Sequence, residues 1–242
     1  MVQQYVLVTG GSSGIGKAII ERLVMEGFHT LNLDRHAPCR PSANDRHIPV
    51  DLLDTDALNR VLAQLSQEYE VLRIVNNAGM VKPALLESTL IDDVRTVAKL
   101  NIEAPILIAQ QFVPAMRAKN FGRIVNISSR AALGKERRTA YAASKAGLLG
   151  MTRTWALELA GNGITVNAVG PGPIATELFR AVNPPDSPLT RQILSTIPVQ
   201  RLGEPAEVAH AVYSFLDDRA GFVTGQVLYV CGGMTIGLGN AS

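Results

Sequence analysis

The sequence contains few cysteines, no long apolar run and no excess of charge of one sign. Its two cysteines among 242 residues, Cys39 and Cys231, cannot build a disulfide framework and fit a reducing compartment. No stretch of about 18 apolar residues is present, so the sequence predicts no transmembrane helix. The first residues also lack the charged and apolar regions of a secretion signal. We therefore expect a cytoplasmic protein.

Charge is nearly balanced along the chain. Lys and Arg number 23 against 21 Asp and Glu, which gives a formal net charge of +2. No basic block is present that would bind nucleic acid or a membrane surface, so neither is expected as a partner. Hydrophobic residues make up 47% of the chain, which excludes a disordered protein of low hydrophobicity. No metal site is predicted.

Short apolar runs rich in Val and Ile alternate with longer segments of helical periodicity. The predicted strands are 5–8, 30–33, 47–50, 71–75, 123–127, 164–168 and Val227–Val230, and the predicted helices are 16–25, 56–68, 92–119, 140–160 and Pro205–Leu216. Continuously apolar strands are typical of parallel sheets that are covered on both faces. The alternation predicts one α/β domain over residues 1–242, with a doubly wound, mostly parallel, seven-stranded sheet and helices on both faces. Residues 171–200, with a Pro-rich stretch at 183–188, are predicted as a substrate-binding loop or lid.

A glycine-rich segment, Thr9-Gly10-Gly11-Ser12-Ser13-Gly14-Ile15-Gly16, joins the first predicted strand to the first helix. Glycines let the backbone turn tightly and approach a pyrophosphate, which binds the free amides at a helix N-terminus. The expected dinucleotide contacts here are Gly10, Ser12, Ser13, Gly14, Ile15 and Gly16.

Asp34 ends the second predicted strand, 18 residues after the last glycine. An acid about 20 residues beyond such a loop binds the adenine ribose. Its carboxylate would accept hydrogen bonds from the ribose diol of NAD and repel the extra phosphate of NADP. Arg35 favours the opposite choice, because a guanidinium can bind that phosphate. The glycine loop has no basic residue to assist it, so NAD is expected and NADP is less favoured.

Five motifs together resemble those of the short-chain dehydrogenase/reductases, in their single-domain branch. They are the 9–16 loop, Asn76-Asn77-Ala78-Gly79, Asn126-Ile127-Ser128-Ser129, Tyr141-Ala142-Ala143-Ser144-Lys145 and Pro171-Gly172-Pro173-Ile174-Ala175-Thr176. The resemblance covers essentially the whole chain, in the family's order. It implies a Rossmann-type fold and an NAD(P)-dependent oxidoreductase that acts on CH–OH groups.

Tyr141 and Lys145 are four residues apart in a predicted helix, so they share one face. A phenol ordinarily titrates near pH 10. A neighbouring ammonium and the positive nicotinamide of an oxidised cofactor would both lower the pKa of this phenol. Tyr141 could then exchange a proton with a substrate alcohol or ketone while the nicotinamide exchanges a hydride. Both residues are also expected beside the cofactor.

A serine hydroxyl is expected next to Tyr141, and two candidates precede it. The family's usual gap of 13 residues selects Ser128, whereas alignment on the preceding strand selects Ser129. The loop before Tyr141 looks one residue short, and a strand is stiffer than a loop. Ser129 is therefore preferred.

Asn101 lies within the predicted helix 92–119, four residues before Pro105. Proline has no N–H, so the Asn101 carbonyl loses its helical partner and the helix should kink there. A freed carbonyl can hold a water that connects to Lys145. The resemblance assigns this proton-relay role to the matching asparagine.

The resemblance implies three further groups of cofactor contacts. They are Asp51 and Leu52 at the adenine, Asn77, Ala78 and Gly79 near the adenosine ribose, and Pro171, Gly172, Ile174 and Thr176 near the nicotinamide. Asp51 is also suited to cap the helix that follows it.

Substrate and assembly are less constrained by the sequence. We expect an alcohol or ketone as the substrate. It is anionic if the cations before Tyr141 bind it. Otherwise these cations form a solvated surface. These cations are Arg130, Lys135, Arg137 and Arg138. The family forms homotetramers or homodimers through the last strand, here expected as a buried edge strand, and the preceding helix. The apolar face of that helix, with Val208, Ala209, Val212 and Leu216, fits such a contact or packing within the chain.

The leading hypothesis is an NAD-dependent oxidoreductase that interconverts a secondary alcohol and a ketone. The first alternative is an NADP-dependent 3-oxoacyl thioester (acyl-carrier-protein) reductase, which uses the same four residues. The second alternative is a dinucleotide-binding regulatory protein that has lost catalysis.

Overall fold

Seven parallel strands form the centre of the molecule in a computed structural model, which describes residues 4–40, 42–184 and 187–236. The strands are β1 (Tyr5–Thr9), β2 (His29–Asp34), β3 (Asp45–Pro49), β4 (Val71–Asn76), β5 (Gly122–Ile127), β6 (Ile164–Pro171) and β7 (Val227–Val230). Their spatial order is 3-2-1-4-5-6-7. The chain therefore changes its direction of winding between β1 and β4, where open α/β sheets bind ligands. The predicted doubly wound parallel sheet is confirmed.

Eight α-helices connect the strands in the described part of the chain. They are α1 (Gly14–Met25), α2 (Thr55–Glu68), α3 (Ile91–Ala98), α4 (Ala104–Lys119), α5 (Thr139–Leu159), α6 (Glu177–Val182), α7 (Pro188–Ser195) and α8 (Pro205–Leu216). Within the described ranges, none is both long and apolar enough to cross a membrane.

Two short helices, α6 and α7, occupy the segment that was predicted as a loop. Each begins at a capping side chain: Thr176 accepts a hydrogen bond from the amide of Phe179, and Ser187 from that of Thr190. Helices of six and eight residues are too short for their periodicity to be detected. Pro185 and Asp186 lie outside the described residues, so the lid expected around 183–188 stays a prediction.

Both faces of the sheet are covered, which explains why the strands are continuously apolar. Alternate residues of β1 point to opposite sides, so Leu7 packs in one core with α2, α4 and α5, whereas Val6 and Val8 pack in the other with α1 and α8. All three side chains are fully buried.

The C-terminal strand and its preceding helix differ in burial. β7 pairs only with β6, and Leu228 is 43% exposed. The expectation of a buried edge strand was therefore wrong, because an edge strand lacks a second neighbour. The apolar face of α8 is buried inside the chain, where it joins the core formed with α1. This face is thus used in intramolecular packing, and the homotetramer or homodimer stays a prediction.

The single helix expected over 92–119 is interrupted in the structure. A π-helical turn, Lys99–Glu103, separates α3 from α4. Within it the amide of Ala104 bonds to the carbonyl of Lys99, five residues back. Pro105 supplies no amide to the Asn101 carbonyl, so the irregularity falls at the predicted position.

Candidate active site

The glycine loop passes over the carboxyl end of β1 in a conformation that requires glycine. Gly10 and Gly14 have φ values of 66° and 53°, in the left-handed region that glycine adopts without strain. A Cβ atom on Gly16 would lie 2.0 Å from the Gly10 carbonyl oxygen. Only glycine therefore allows α1 to start so close to the strand that precedes it.

The N-terminus of α1 has the properties of a phosphate site. Its N-cap residue, Ser13, makes no capping hydrogen bond through its side chain, and the first turn contains no acidic residue. The first amides and the positive end of the helix dipole are thus left for an external anion. This cradle of amides and glycines fits the pyrophosphate of a dinucleotide.

Asp34 lies beside this loop at the end of β2. Its carboxylate accepts hydrogen bonds from the backbone amides of Ser12, at 3.1 Å, and His36, at 3.0 Å. The Ser12 hydroxyl donates to the His36 carbonyl oxygen at 2.6 Å. These bonds fix the carboxylate where it can accept from a ribose diol, while Arg35 is exposed next to it.

Asn32 supports the loop and was missed by sequence reasoning. It is fully buried in β2, its Oδ1 accepts from the Gly11 amide at 3.0 Å, and its Nδ2 donates to the Ser12 hydroxyl at 3.2 Å. A buried polar residue must find such partners. The signal available in the sequence was the amide side chain of Asn32, a single polar residue between Leu31 and Leu33.

The segment after β4, Asn77-Ala78-Gly79, is hydrogen-bonded to the start of the glycine loop. The Asn77 side chain donates to the carbonyl oxygens of Thr9 and Gly10 at 2.9 and 3.0 Å, and the Thr9 hydroxyl accepts from the amides of Asn77 and Ala78. The donors of Asn77 are therefore used to shape the cradle. A Cβ atom on Gly79 would lie 3.1 Å from Lys145 Nζ, so this motif also reaches the candidate catalytic residues.

Helix α5 presents Tyr141 and Lys145 on one face at the carboxyl edge of the sheet. Lys145 Nζ lies 5.7 Å from the centre of the Tyr141 ring and donates to the Ile127 carbonyl oxygen at 2.7 Å. Lys145 is only 3% exposed, and no carboxylate of the described residues pairs with it. Burial therefore lowers its pKa to about 8.

The electrostatic surroundings of Tyr141 favour a protonated phenol in the cofactor-free protein. Burial raises the pKa of Tyr141, while its hydrogen bond with the Ser129 side chain and the positive charge of Arg138 lower it, and the net direction is upward. The phenol therefore holds its proton and can act as a general acid.

The two candidate serines are placed differently. The Ser128 hydroxyl donates to the Lys145 carbonyl oxygen at 2.8 Å and is buried. Ser129 caps a short 3₁₀ helix by accepting from the Ala131 amide at 3.1 Å, and its side chain is the one that meets the Tyr141 phenol. Of the two candidate serines, Ser129 is therefore the one whose side chain reaches Tyr141.

Asn101 is fully buried at the interrupted helix and braces the site through its side chain. Its Oδ1 accepts from the Met80 amide at 3.0 Å, and its Nδ2 donates to the Met80 carbonyl oxygen at 3.1 Å and to the Ser144 hydroxyl at 2.9 Å. Ser144 in turn donates to the Tyr141 carbonyl oxygen at 2.8 Å. Sequence reasoning missed this role of Ser144, although it lies within the Tyr141–Lys145 motif. The water relay through the Asn101 carbonyl stays a prediction.

Asp51 and Leu52, which were expected at the adenine, differ in burial. Asp51 is exposed and accepts from the Leu53 amide, whereas Asp54 caps α2, so Asp51 is not that helix cap. Leu52 is buried. Its side chain thus contributes to the core.

The segment after β6 lies against the glycine loop. A Cβ atom on Gly14 would lie 3.3 Å from Thr176 Cγ2. Ile174 is buried, and a Cβ atom on Gly172 would lie 2.8 Å from the Cα of Cys231. Pro171, which ends β6, is also buried. The fold thus brings the candidate nicotinamide segment next to the candidate pyrophosphate cradle. No three His, Cys, Asp or Glu side chains within the described ranges are grouped to hold a metal ion.

Comparison with known proteins defines the class. A family model described as enoyl-(acyl carrier protein) reductase matches residues 10–235. The chain is 38% identical over 242 residues to the 3-oxoacyl-[acyl-carrier-protein] reductase of Thermotoga maritima, covering 95% of this chain and 97% of the relative. It is 37% identical over 234 residues to the acetoacetyl-CoA reductase of Shinella zoogloeoides, covering 94% and 96%. A solved structure of ElxO with NADP bound matches with a TM-score of 0.90 and 29% identity, over 96% of this chain and 99% of that one.

The chain belongs to the short-chain dehydrogenase/reductase family. It is an NAD(P)-dependent oxidoreductase that acts on CH–OH or ketone groups of a small molecule, as the motifs predicted.

Proposed function

We propose that this protein reduces the 3-keto group of an acyl thioester to a secondary alcohol. The reaction is that of the first alternative from the sequence, which named NADP as the cofactor, and both curated relatives support it over the broader alcohol–ketone hypothesis. Each relative is named for reducing a 3-oxoacyl or acetoacetyl thioester. The observation that carries the proposal is the meeting of Tyr141, Ser129 and Lys145 beside the glycine cradle.

These three residues suit a reduction. When bound, the reduced nicotinamide supplies the hydride. The Tyr141 phenol, whose pKa is raised by burial, donates its proton to the substrate oxygen. The Ser129 hydroxyl donates a hydrogen bond to the same oxygen. Lys145, with a pKa of about 8, is mostly cationic at neutral pH and stabilises the phenolate that remains.

The proposed cofactor is NADH rather than NADPH. The ElxO structure holds NADP, which favours the phosphorylated cofactor. Asp34 favours NADH, because its carboxylate is held in place by two backbone amides and would repel the extra phosphate of NADPH. The dissociation constants of NADH and NADPH test this choice. We expect NADH to bind at least about tenfold more tightly, and Asp34→Ser to reduce that ratio. Tighter binding of NADPH to the wild-type protein would overturn it.

Oxidation of NADH in the presence of acetoacetyl-CoA tests the proposed reaction. We expect turnover, and we expect Ser129→Ala to lower kcat at least about tenfold, while Ser128→Ala lowers it less. Turnover of simple ketones without turnover of any thioester would favour the broader alcohol–ketone hypothesis. A protein that binds the dinucleotide but reduces neither would be the regulatory alternative.

A further inference from the structure

The segment between Ser129 and α5 concentrates positive charge. It contains Arg130, Lys135, Arg137 and Arg138, with Glu136 as its one acidic residue. The sequence left open whether these cations meet a substrate or only water. Their distribution around Tyr141 separates the two interpretations.

The segment is held in place at both ends. At its start, Ser129 caps the 3₁₀ helix Arg130–Leu133. At its end, Arg138 forms a β-bridge with Ala84, and the Ala84 amide donates to the Arg137 carbonyl oxygen at 3.1 Å. Both ends therefore lie next to the candidate catalytic residues, since one follows Ser129 and the other leads directly into Tyr141.

Three of the four cations act on one another. Partial desolvation and the positive charges of Arg138 and Arg130 lower the pKa of Lys135. The charge of Arg138 acts on the pKa of Tyr141 in the same direction, against the larger upward effect of burial. Arg137 and Lys135 are both exposed, but Arg137 is not among the charges that shift either pKa.

Among the described residues, no carboxylate forms an ion pair with any of these three cations. The neighbouring Glu136 is exposed. Like charges held together without a counter-ion repel one another. An anion placed among them would offset this repulsion and accept charge-assisted hydrogen bonds.

We propose that Arg130, Lys135 and Arg138 form a subsite for an anionic group of the substrate, a carboxylate or a phosphate. Its position at the candidate active site rests on the proposed function. The anion belongs either to the acyl part of the substrate or to the phosphates of a coenzyme A or pantetheine carrier. In both cases the three cations orient the substrate, while Tyr141 and Ser129 act on its carbonyl oxygen.

Two matched pairs of substrates test the subsite and identify the source of the anion. The first pair is acetoacetyl-CoA and the N-acetylcysteamine thioester of acetoacetate, which has the same reacting group but no phosphate. The second pair is 3-hydroxybutyrate and its methyl ester, which differ in one carboxylate. For each pair, the KM of the charged member is divided by that of the neutral member.

We expect Arg138→Gln and Arg130→Gln each to raise this KM ratio about tenfold for one of the pairs, as loss of a charge-assisted hydrogen bond predicts. The matched control is Arg137→Gln, which removes an exposed charge from the same segment and should leave the ratio within about twofold. A change in the KM ratio of the first pair assigns the anion to the carrier. A change in the KM ratio of the second pair assigns it to the acyl part. Equal changes for charged and neutral members would overturn the subsite, because they would indicate that the segment only positions Tyr141.

Binding measurements keep this test separate from the proposed reaction. Calorimetry gives the Kd of acetoacetate and of free coenzyme A for the protein saturated with NAD. Weaker binding of either ligand to Arg138→Gln than to Arg137→Gln supports the subsite, even if no thioester is turned over. Equal Kd values in both variants overturn it, whatever the thioester assay shows.

Discussion

The amino and carboxyl edges of the sheet each bury a positive charge, but the two charges differ in their partners. At the amino edge, the Arg73 guanidinium forms an ion pair with Asp218, donates to the Leu216 carbonyl oxygen at 3.2 Å and lies over the rings of Phe28 and Phe121. At the carboxyl edge, the Lys145 ammonium donates to one carbonyl oxygen and has no carboxylate partner in the described residues.

A second arginine strengthens the contrast. Arg123 donates to the Gly122 carbonyl oxygen at 2.8 Å and to that of Asp218 at 3.0 Å, just beyond the C-terminus of α8. Carbonyl groups at a helix C-terminus carry partial negative charge, so cations there are stabilised. The amino edge thus holds its charges with partners that the chain itself supplies. The carboxyl edge leaves the Lys145 ammonium with one carbonyl oxygen, which is typical of a site where stability is given up for function.

The largest expected effect is the loss of catalysis on changing Tyr141→Phe. The change removes the proton donor and leaves the ring, so kcat should fall by about 10³-fold or more. The dissociation constant of NADH should change less than about threefold, because the cradle is untouched. Steady-state kinetics and fluorescence titration measure the two quantities. Retained turnover would show that Tyr141 is not the acid.

The second effect concerns the paired charge at the amino edge. Arg73→Ala removes the ion pair, the hydrogen bonds and the aromatic contacts of a buried side chain, and should lower the free energy of unfolding by about 3 kcal/mol. The control is Lys119→Ala, which breaks an exposed ion pair with Glu70 and should cost less than about 1 kcal/mol. Urea denaturation measures both. Equal losses would contradict the distinction between a buried and an exposed cation.

The third effect is a gain in the free energy of unfolding, and it tests the unpaired charge of Lys145. Because folding lowers the pKa of Lys145 from 10.5 to about 8, the unfolded chain binds more protons than the folded chain between these pH values. The folded state therefore gains stability as the pH rises from about 8 to 10.5, where this contribution ends.

Lys145→Met should raise the free energy of unfolding at pH 7 by about 2 kcal/mol while abolishing activity. This gain should shrink as the pH rises above about 8. Denaturation curves at several pH values check the prediction. A loss of stability that is the same at every pH would show that Lys145 is not under electrostatic strain.

The smallest effect is expected from the exposed partner at the amino edge. Asp218→Asn removes the carboxylate that faces Arg73, but its side chain is 67% exposed and the guanidinium keeps its carbonyl partner. We expect a loss of about 1 kcal/mol in the free energy of unfolding, since exposure screens the pair. A loss as large as that of Arg73→Ala would mean that the carboxylate alone holds the arginine.

Local patterns were sufficient for much of the fold and part of the candidate site. The break in the predicted helix 92–119 followed from Pro105 alone, because a missing amide acts on a carbonyl four residues back. The glycine loop and the Tyr141–Lys145 pair are equally local. Prediction failed at Asp51, since Asp54 was equally able to cap α2 and only the turn geometry distinguishes them.

The sequence by itself determined the order of the seven strands, the glycine loop and the spacing of the phenol and the ammonium, because these depend on neighbours within a few residues. The tertiary structure alone decided which serine meets Tyr141, how Ser144 braces Asn101, and that Asp218 pairs with Arg73 across 145 residues of chain. Such partnerships depend on how distant elements pack against one another. Local periodicity does not specify that packing in detail.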